Sequence, residues 1–272
     1  MSAAPAVVGF EALRLARRPW VQAALAAGVA WAVAVIAVAA THDGVAREDS
    51  LRSGGAGLLL LGGLLVACLL GATALNRDGD NGHMGALLGG GASRPLLTLG
   101  ALAARTLWLL GILAAWTVAL QVGSLALGLG LDGPLAVHAA ATAEGLVLTL
   151  LAAAAASSIV QVPFAAIFGL LVYVAAQAAV NLKAAADVHL IGSAADTLVN
   201  SFYYLGPRVV TSPMIADLQL RDTAGAAAPR IDINGAEVHV PAADWGTPVW
   251  TAVWLGLFVV LCLAGMRRRP IL

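Results

Sequence analysis

Residues 20–40 read Trp20-Val-Gln-Ala-Ala-Leu-Ala-Ala-Gly-Val-Ala-Trp-Ala-Val-Ala-Val-Ile-Ala-Val-Ala-Ala40, a run without a charge and with Gln22 as its only amide. Wound as a helix it would be about 31 Å long at ~1.5 Å per residue, matching a hydrocarbon layer of ~30 Å. A chain in lipid must satisfy its own backbone hydrogen bonds, so a run of this length reads as an α-helix. Similar runs follow at Gly57–Leu75, Thr106–Leu127, Leu135–Ala156, Val162–Val180 and Val249–Met266. Ser157, Ser158, Gln161, Val162 and Pro163 break what would otherwise be a single stretch too long for one tilted span, which predicts two helices joined by a tight turn. Hydrophobic residues make up 60% of the chain, charged residues 11%, and mean hydropathy is +0.89. The expected fold is an all-α polytopic membrane protein, one transmembrane domain of six helices over residues 1–272.

The zero formal charge hides an asymmetry. With the N-terminus placed inside, the inner segments hold Arg14, Arg17, Arg18, Arg77, Arg94, Arg105, Arg267, Arg268 and Arg269 against only Glu11, Asp78 and Asp80. The outer segments hold Arg47, Arg52, Lys183, Arg208, Arg221 and Arg230 against eleven acids. Arginine excess marks the cytoplasmic side, so both termini are expected there. The first apolar run is span-length and follows residues 1–19 rather than a short basic stub, so no cleaved signal peptide is expected. Lys183 is the only lysine, and Ala, Gly and Arg abound, as in GC-rich bacterial genomes. The predicted location is therefore a bacterial cytoplasmic (inner) membrane, crossed several times.

Three segments lie outside the spans. Residues 1–19 are helix-compatible up to Pro19. Glu11, Arg14 and Arg18 share one face and Leu13 and Ala16 the other, which suits a short cytoplasmic helix on the membrane surface. Arg14, Arg17 and Arg18 would then point toward lipid phosphates, with Trp20 at headgroup level. The connection 76–105 is far longer than two neighbouring helices need, and long loops usually bind something. Its Met84, Leu87 and Leu88 need an apolar cover, which a partner protein would supply. Gly89-Gly90-Gly91 lacks both the following lysine–serine/threonine pair and the preceding strand of a phosphate-cradling loop, so the chain carries no nucleotide site of that kind. The segment 181–246 is expected to form a small outer cap. Within it, Ile231-Asp-Ile-Asn-Gly-Ala-Glu-Val-His-Val240 alternates apolar residues around Asn234-Gly235, a strong hairpin signal.

These pieces together resemble the permease subunit of an ABC transporter of the ABC-2 type, related to the type V exporter fold. Glu11, Arg17, Arg18 and Trp20 match an acidic–basic–aromatic pattern before the first span. Asp80, Leu87, Leu88, Ser93 and Arg94 match an acidic, Leu-Leu, small-Ser-Arg stretch after the second. Phe202-Tyr-Tyr-Leu-Gly-Pro207 resembles the Tyr-Tyr-Leu-x-Pro stretch of one permease branch, and Asp244-Trp245 with Arg267-Arg-Arg269 a common ending. The sequence departs from the pattern at Asp78 or Asp80 in place of glutamate, at Gly91 in place of the proline that precedes the Ser-Arg pair, and at Ala101 in place of lysine. The resemblance covers most of the chain in layout.

That resemblance implies a second permease copy, as homo- or heterodimer, and a dimer of cytoplasmic ABC ATPase subunits. ATP and Mg would be held by those subunits, with no cofactor, metal or nucleic acid on this chain. The segment around Gly82–Ala92 would be the coupling helix. Met84, Leu87 and Leu88 would give apolar contact, Asp78 and Asp80 polar contact, and Ser93 and Arg94 the junction with the membrane. ATP-driven closure would reach the spans as a rigid-body motion. Family substrates include lipids, glycolipids, peptides and drugs. An alternative implied by some relatives is a non-transporting anchor that passes ATPase motion to an extracytoplasmic partner.

Glu144 is the one clearly intramembrane acid. It reads either as a hydrogen-bonded strut between helices or as part of a translocation path, with Gln121 and Gln177 at a depth to partner it. His42, His83, His138, His189 and His239 show no ligand spacing. Cys68 and Cys262 fall within spans as packing residues. Gly62-Gly63 and Gly111 read as sites of close helix packing. There is no Gly-x-Ser-x-Gly elbow, His-Glu-x-x-His or paired intramembrane aspartates, which argues against an enzyme, although dispersed catalytic residues would leave no such mark.

Overall fold

The computed structural model describes residues 3–75, 93–187, 193–209, 232–233, 236–237 and 246–267. These are overwhelmingly helical: α1 (Ala3–Ala16), α2 (Pro19–Ala40), α3 (Gly44–Gly57), a π-helical turn (Leu58–Gly62) leading directly into α4 (Gly63–Ala72), α5 (Arg94–Ala126), α6 (Gly133–Ser157), α7 (Val162–Asp187), α8 (Ser193–Leu205) and α9 (Gly246–Arg267). Six helical stretches are long and apolar enough to cross a membrane, α3, the π turn and α4 counting as one. Two short strands, β1 (Asp232–Ile233) and β2 (Ala236–Glu237), pair antiparallel with Ile233 opposite Ala236. Only the two positions expected to form the Asn-Gly turn separate them in sequence.

Proline and short polar side chains set the helix starts. Pro19 stands at the first position of α2 behind an extended Arg18, where its missing N–H costs nothing. Asp132 caps α6 by accepting from the Leu135 N–H at 3.0 Å. The predicted break between the fourth and fifth spans is present: α6 stops at Ser157 and α7 begins at Val162.

Three helices run further than hydropathy indicates: α7 continues past Val180 to Asp187, into the segment expected to belong to the outer cap, and the second and third spans start early. The second span begins at Gly44 rather than Gly57, because the polar stretch before it supports its own helix. Arg47 meets Asp43 at 3.0 Å and Arg52 meets Glu48 at 2.6 Å, both at i,i+4 spacing. The third span begins at Arg94, so residues 94–105, expected in the loop, form the first turns of α5. Its 33 residues make a rod of about 50 Å, well beyond a hydrocarbon layer. The excess is the platform on which α1 lies. There, Val7, Glu11 and Leu15 form a buried stripe, the Trp108 indole donates to the Ala12 carbonyl at 2.9 Å, and Leu13 is exposed. The face carrying Glu11 thus turns inward, opposite to the expected orientation, and Arg18 lies beyond the end of α1.

The core is built around α6, whose Leu146, Leu148, Leu150 and Ala152–Ala154 are fully buried. Small residues let neighbouring backbones approach it. A β-carbon at Gly71 of α4 would fall on the Leu150 carbonyl, and one at Gly169 of α7 would sit 2.8 Å from the Ala153 β-carbon. Gly63 likewise faces Leu146, and Gly62 faces Trp116. Gly111, expected to mark close packing, instead points to open space. Helices α2, α7 and α9 bury much less of their apolar surface than the segments between them and form the rim of the bundle.

Candidate functional site

At the end of the bundle that carries the N-terminus, a polar clamp closes on α4. Arg105 is 1% exposed. Its Nε donates to the Leu70 carbonyl at 3.1 Å and its Nη2 to the Thr73 carbonyl at 3.0 Å. Nη1 donates to Ala101 within α5 at 3.2 Å and lies 3.8 Å from Glu11 Oε2. Arg14 approaches the other Glu11 oxygen at 3.4 Å. The arginine therefore satisfies the last carbonyls of α4, which no intrahelical N–H can reach, and opposes the negative end of that helix dipole. Glu11 balances the buried charge. A turn further along the chain, the Leu75 N–H donates to Ser157 Oγ at 3.2 Å, fixing the chain to the end of α6. The clamp thus joins α1, α4, α5 and α6 immediately before residue 76.

Of the residues expected to meet an ATPase, Asp78, Asp80, Met84, Leu87 and Leu88 lie outside the described residues. Ser93 is the exposed N-cap of α5. Arg94 opens that helix and donates from Nη1 to the Arg267 carbonyl at 3.3 Å, linking α5 to the end of α9. Arg17 is exposed in the turn between α1 and α2, and Arg14 is bound up with Glu11.

At the opposite end, the loop between α5 and α6 is locked in place. Arg52 Nε donates to Asp132 Oδ2 at 2.8 Å, tying α3 to the α6 cap. Gln121 donates to the Asp132 carbonyl at 2.7 Å and accepts from the Asp132 N–H at 2.8 Å. Gln121, expected beside Glu144, is therefore a fastener of the α5–α6 loop. His138 is buried one turn into α6, with Nε2 3.3 Å from the Thr142 hydroxyl and Nδ1 without a partner.

Glu144 lies deeper, between α6 and α9, beside the Thr251 hydroxyl. Its Oε1 is buried and has no hydrogen-bond partner. Thr251 in turn donates to backbone, with the Arg208 carbonyl at 2.7 Å and the Thr247 carbonyl at 2.9 Å. Gln177 stands on α7 one turn beyond Tyr173, whose ring packs against Gly145 beside Glu144. Neither glutamine hydrogen-bonds to Glu144 Oε1. The structure thus brings Glu144 together with Thr251 and the chain at Arg208, which sequence reasoning did not pair.

From the sequence alone, Arg105 and Arg208 read only as loop charges. For Arg105 a signal exists: Ala101, Arg105, Trp108 and Ile112 recur at helical spacing and share a buried or half-buried face. For Arg208, the aromatic residues just before it in Phe202-Tyr-Tyr204 were the nearest hint. No group of three or more His, Cys, Asp or Glu among the described residues is arranged to hold a metal ion. Compared with known proteins, the chain matches no family model and no curated sequence.

Proposed function

We propose that this chain is the transmembrane permease subunit of an ATP-driven transporter resembling the ABC-2 type, working as an exporter in a bacterial cytoplasmic membrane. It pairs with a second permease copy, and separate ATPase subunits dock on the segment 76–92. Both termini and that segment lie on the cytoplasmic side, where the arginines concentrate.

The observation that carries this reading is the Arg105 clamp. A segment that receives force from a docked motor needs a stiff attachment, or the motion is lost in local bending. The chain enters residue 76 from an α4 end whose carbonyls are held by a buried arginine, itself held by Glu11. It re-enters the bundle through α5, a continuous rod of 33 residues. Displacement of the segment would therefore reach α1, α4, α5 and α6 together, by rigid-body movement of packed helices.

Replacing Leu87 and Leu88 together with Asp tests the docking. Two charges in an apolar contact should cost several kcal/mol of association, so the ATPase is lost on pull-down while the permease still inserts. Recovery of the same complex at undiminished yield and hydrolysis rate would defeat this reading.

A further inference from the structure

The end of the bundle away from the N-terminus holds a cation, Arg208, that no carboxylate among the described residues neutralises. After α8 the chain turns through Gly206 and Pro207 and seats Arg208 against the first turns of α9. Two bonds secure the seat: the Trp250 indole donates to the Gly206 carbonyl at 2.8 Å, and Thr251 donates to the Arg208 carbonyl at 2.7 Å. Arg208 is 8% exposed. Its guanidinium carbon lies 4.3 Å from the centre of the Tyr203 ring, 5.7 Å from Trp250 and 6.0 Å from Tyr204.

Its Nε is buried without a hydrogen-bond partner, and no described carboxylate pairs with it. Glu144 reaches this network only through Thr251, which bonds the Arg208 carbonyl and not its guanidinium, and leaves its own Oε1 unpartnered. Aromatic contact engages the π face of a guanidinium and leaves the in-plane N–H fork free. An unpaired buried charge is costly unless something completes it. The chemistry that completes a planar fork is a tetrahedral or planar oxyanion taking two parallel N–H bonds.

We propose that Arg208, fixed by Tyr203 and Trp250, is a binding site for a phosphate group. Tyrosine and tryptophan gather where a membrane meets water, which is the level of lipid phosphates. A phospholipid headgroup and a free phosphate share the recognised chemistry. The proposal is independent of the transport reading, since a permease or an anchor would display the same site.

The test uses the purified full chain in neutral detergent, with binding followed as a saturable rise in unfolding temperature. The probes are dihexanoyl-phosphatidylglycerol, inorganic phosphate and dihexanoylglycerol, which has the same acyl chains and no phosphate. Wild type should respond to at least one phosphate-bearing probe and not to dihexanoylglycerol. Response to the phospholipid alone assigns a headgroup, and response to both assigns phosphate from either source. Arg208→Gln should weaken that binding about tenfold or more. Equal response to all three probes or to none in wild type, or undiminished binding by a folded Arg208→Gln, would overturn the proposal. Should Arg208→Gln fail to fold, the wild-type contrast between phosphatidylglycerol and dihexanoylglycerol still decides.

Discussion

Arg105 is buried and Glu144 half-buried, and the two differ in how completely they are matched. Arg105 directs its donors to Leu70, Thr73 and Ala101 and faces Glu11, so removing it leaves the end of α4 uncapped and Glu11 with Arg14 as its remaining cation. Arg105→Ala should therefore destabilise the purified chain by about 3–5 kcal/mol. Arg105→Met combined with Glu11→Leu should lie closer to wild type than Arg105→Ala, because both charges leave at once. Thermal unfolding of the two variants checks this, and equal losses would mean that the pairing contributes nothing beyond side-chain volume. Glu144 behaves differently. A structural strut would use both carboxylate oxygens, whereas Oε1 is buried and unpartnered. Glu144→Leu should accordingly change stability by less than about 1 kcal/mol, since an unsatisfied group is removed. ATP hydrolysis by the assembled complex should nevertheless fall several-fold in Glu144→Leu, and also in Glu144→Gln. A Glu144→Leu chain that unfolds far more readily would return the residue to a packing role.

At the scale of elements, the α4–α6 contact depends on bare backbone. Gly71→Val would drive a side chain into the Leu150 carbonyl and should cost about 1–3 kcal/mol or prevent assembly. Gly111, exposed in the middle of α5 with open space around it, is the internal control. Gly111→Ala should be neutral or stabilise by up to about 1 kcal/mol through helix propensity. Comparing the unfolding temperatures of the two variants tests whether glycine has one meaning in this bundle or two. The sequence reads alike at both positions, since composition registers a small residue but not what faces it. The same limit explains the helix ends. Hydropathy located six apolar runs and the Ser158–Gln161 break because water and lipid act on each residue separately. It missed residues 44–56 and 94–105 because ion pairs and packing under α1 support helix there, and those depend on partners. Arg52–Asp132 and Gln121–Asp132 are bonds across turns and loops that no periodicity announces. Glu144 was legible as an isolated acid, whereas its neighbours Thr251 and Arg208 come from segments far along the chain.

At the scale of the whole molecule, the two ends of the bundle differ in kind. The N-terminal end is closed by a matched clamp at the base of the segment 76–92. The other end keeps unpaired polar atoms at Glu144 and Arg208 beside a ring of aromatic side chains. A braced attachment on one side and buried unpaired polar atoms on the other are what the proposed permease would need to receive force at one face and meet ligand toward the other. The central claim is that the force comes from a separate ATPase. Its most direct test is purification of the tagged full chain from native membranes in mild detergent, with the protein stoichiometry and ATP hydrolysis of the eluate measured together. The account predicts an ABC-type ATPase present in equal amount to the permease, with vanadate-sensitive hydrolysis that disappears when Leu87 and Leu88 are both replaced by Asp. An intact, folded chain that elutes without any nucleotide-hydrolysing subunit would contradict it.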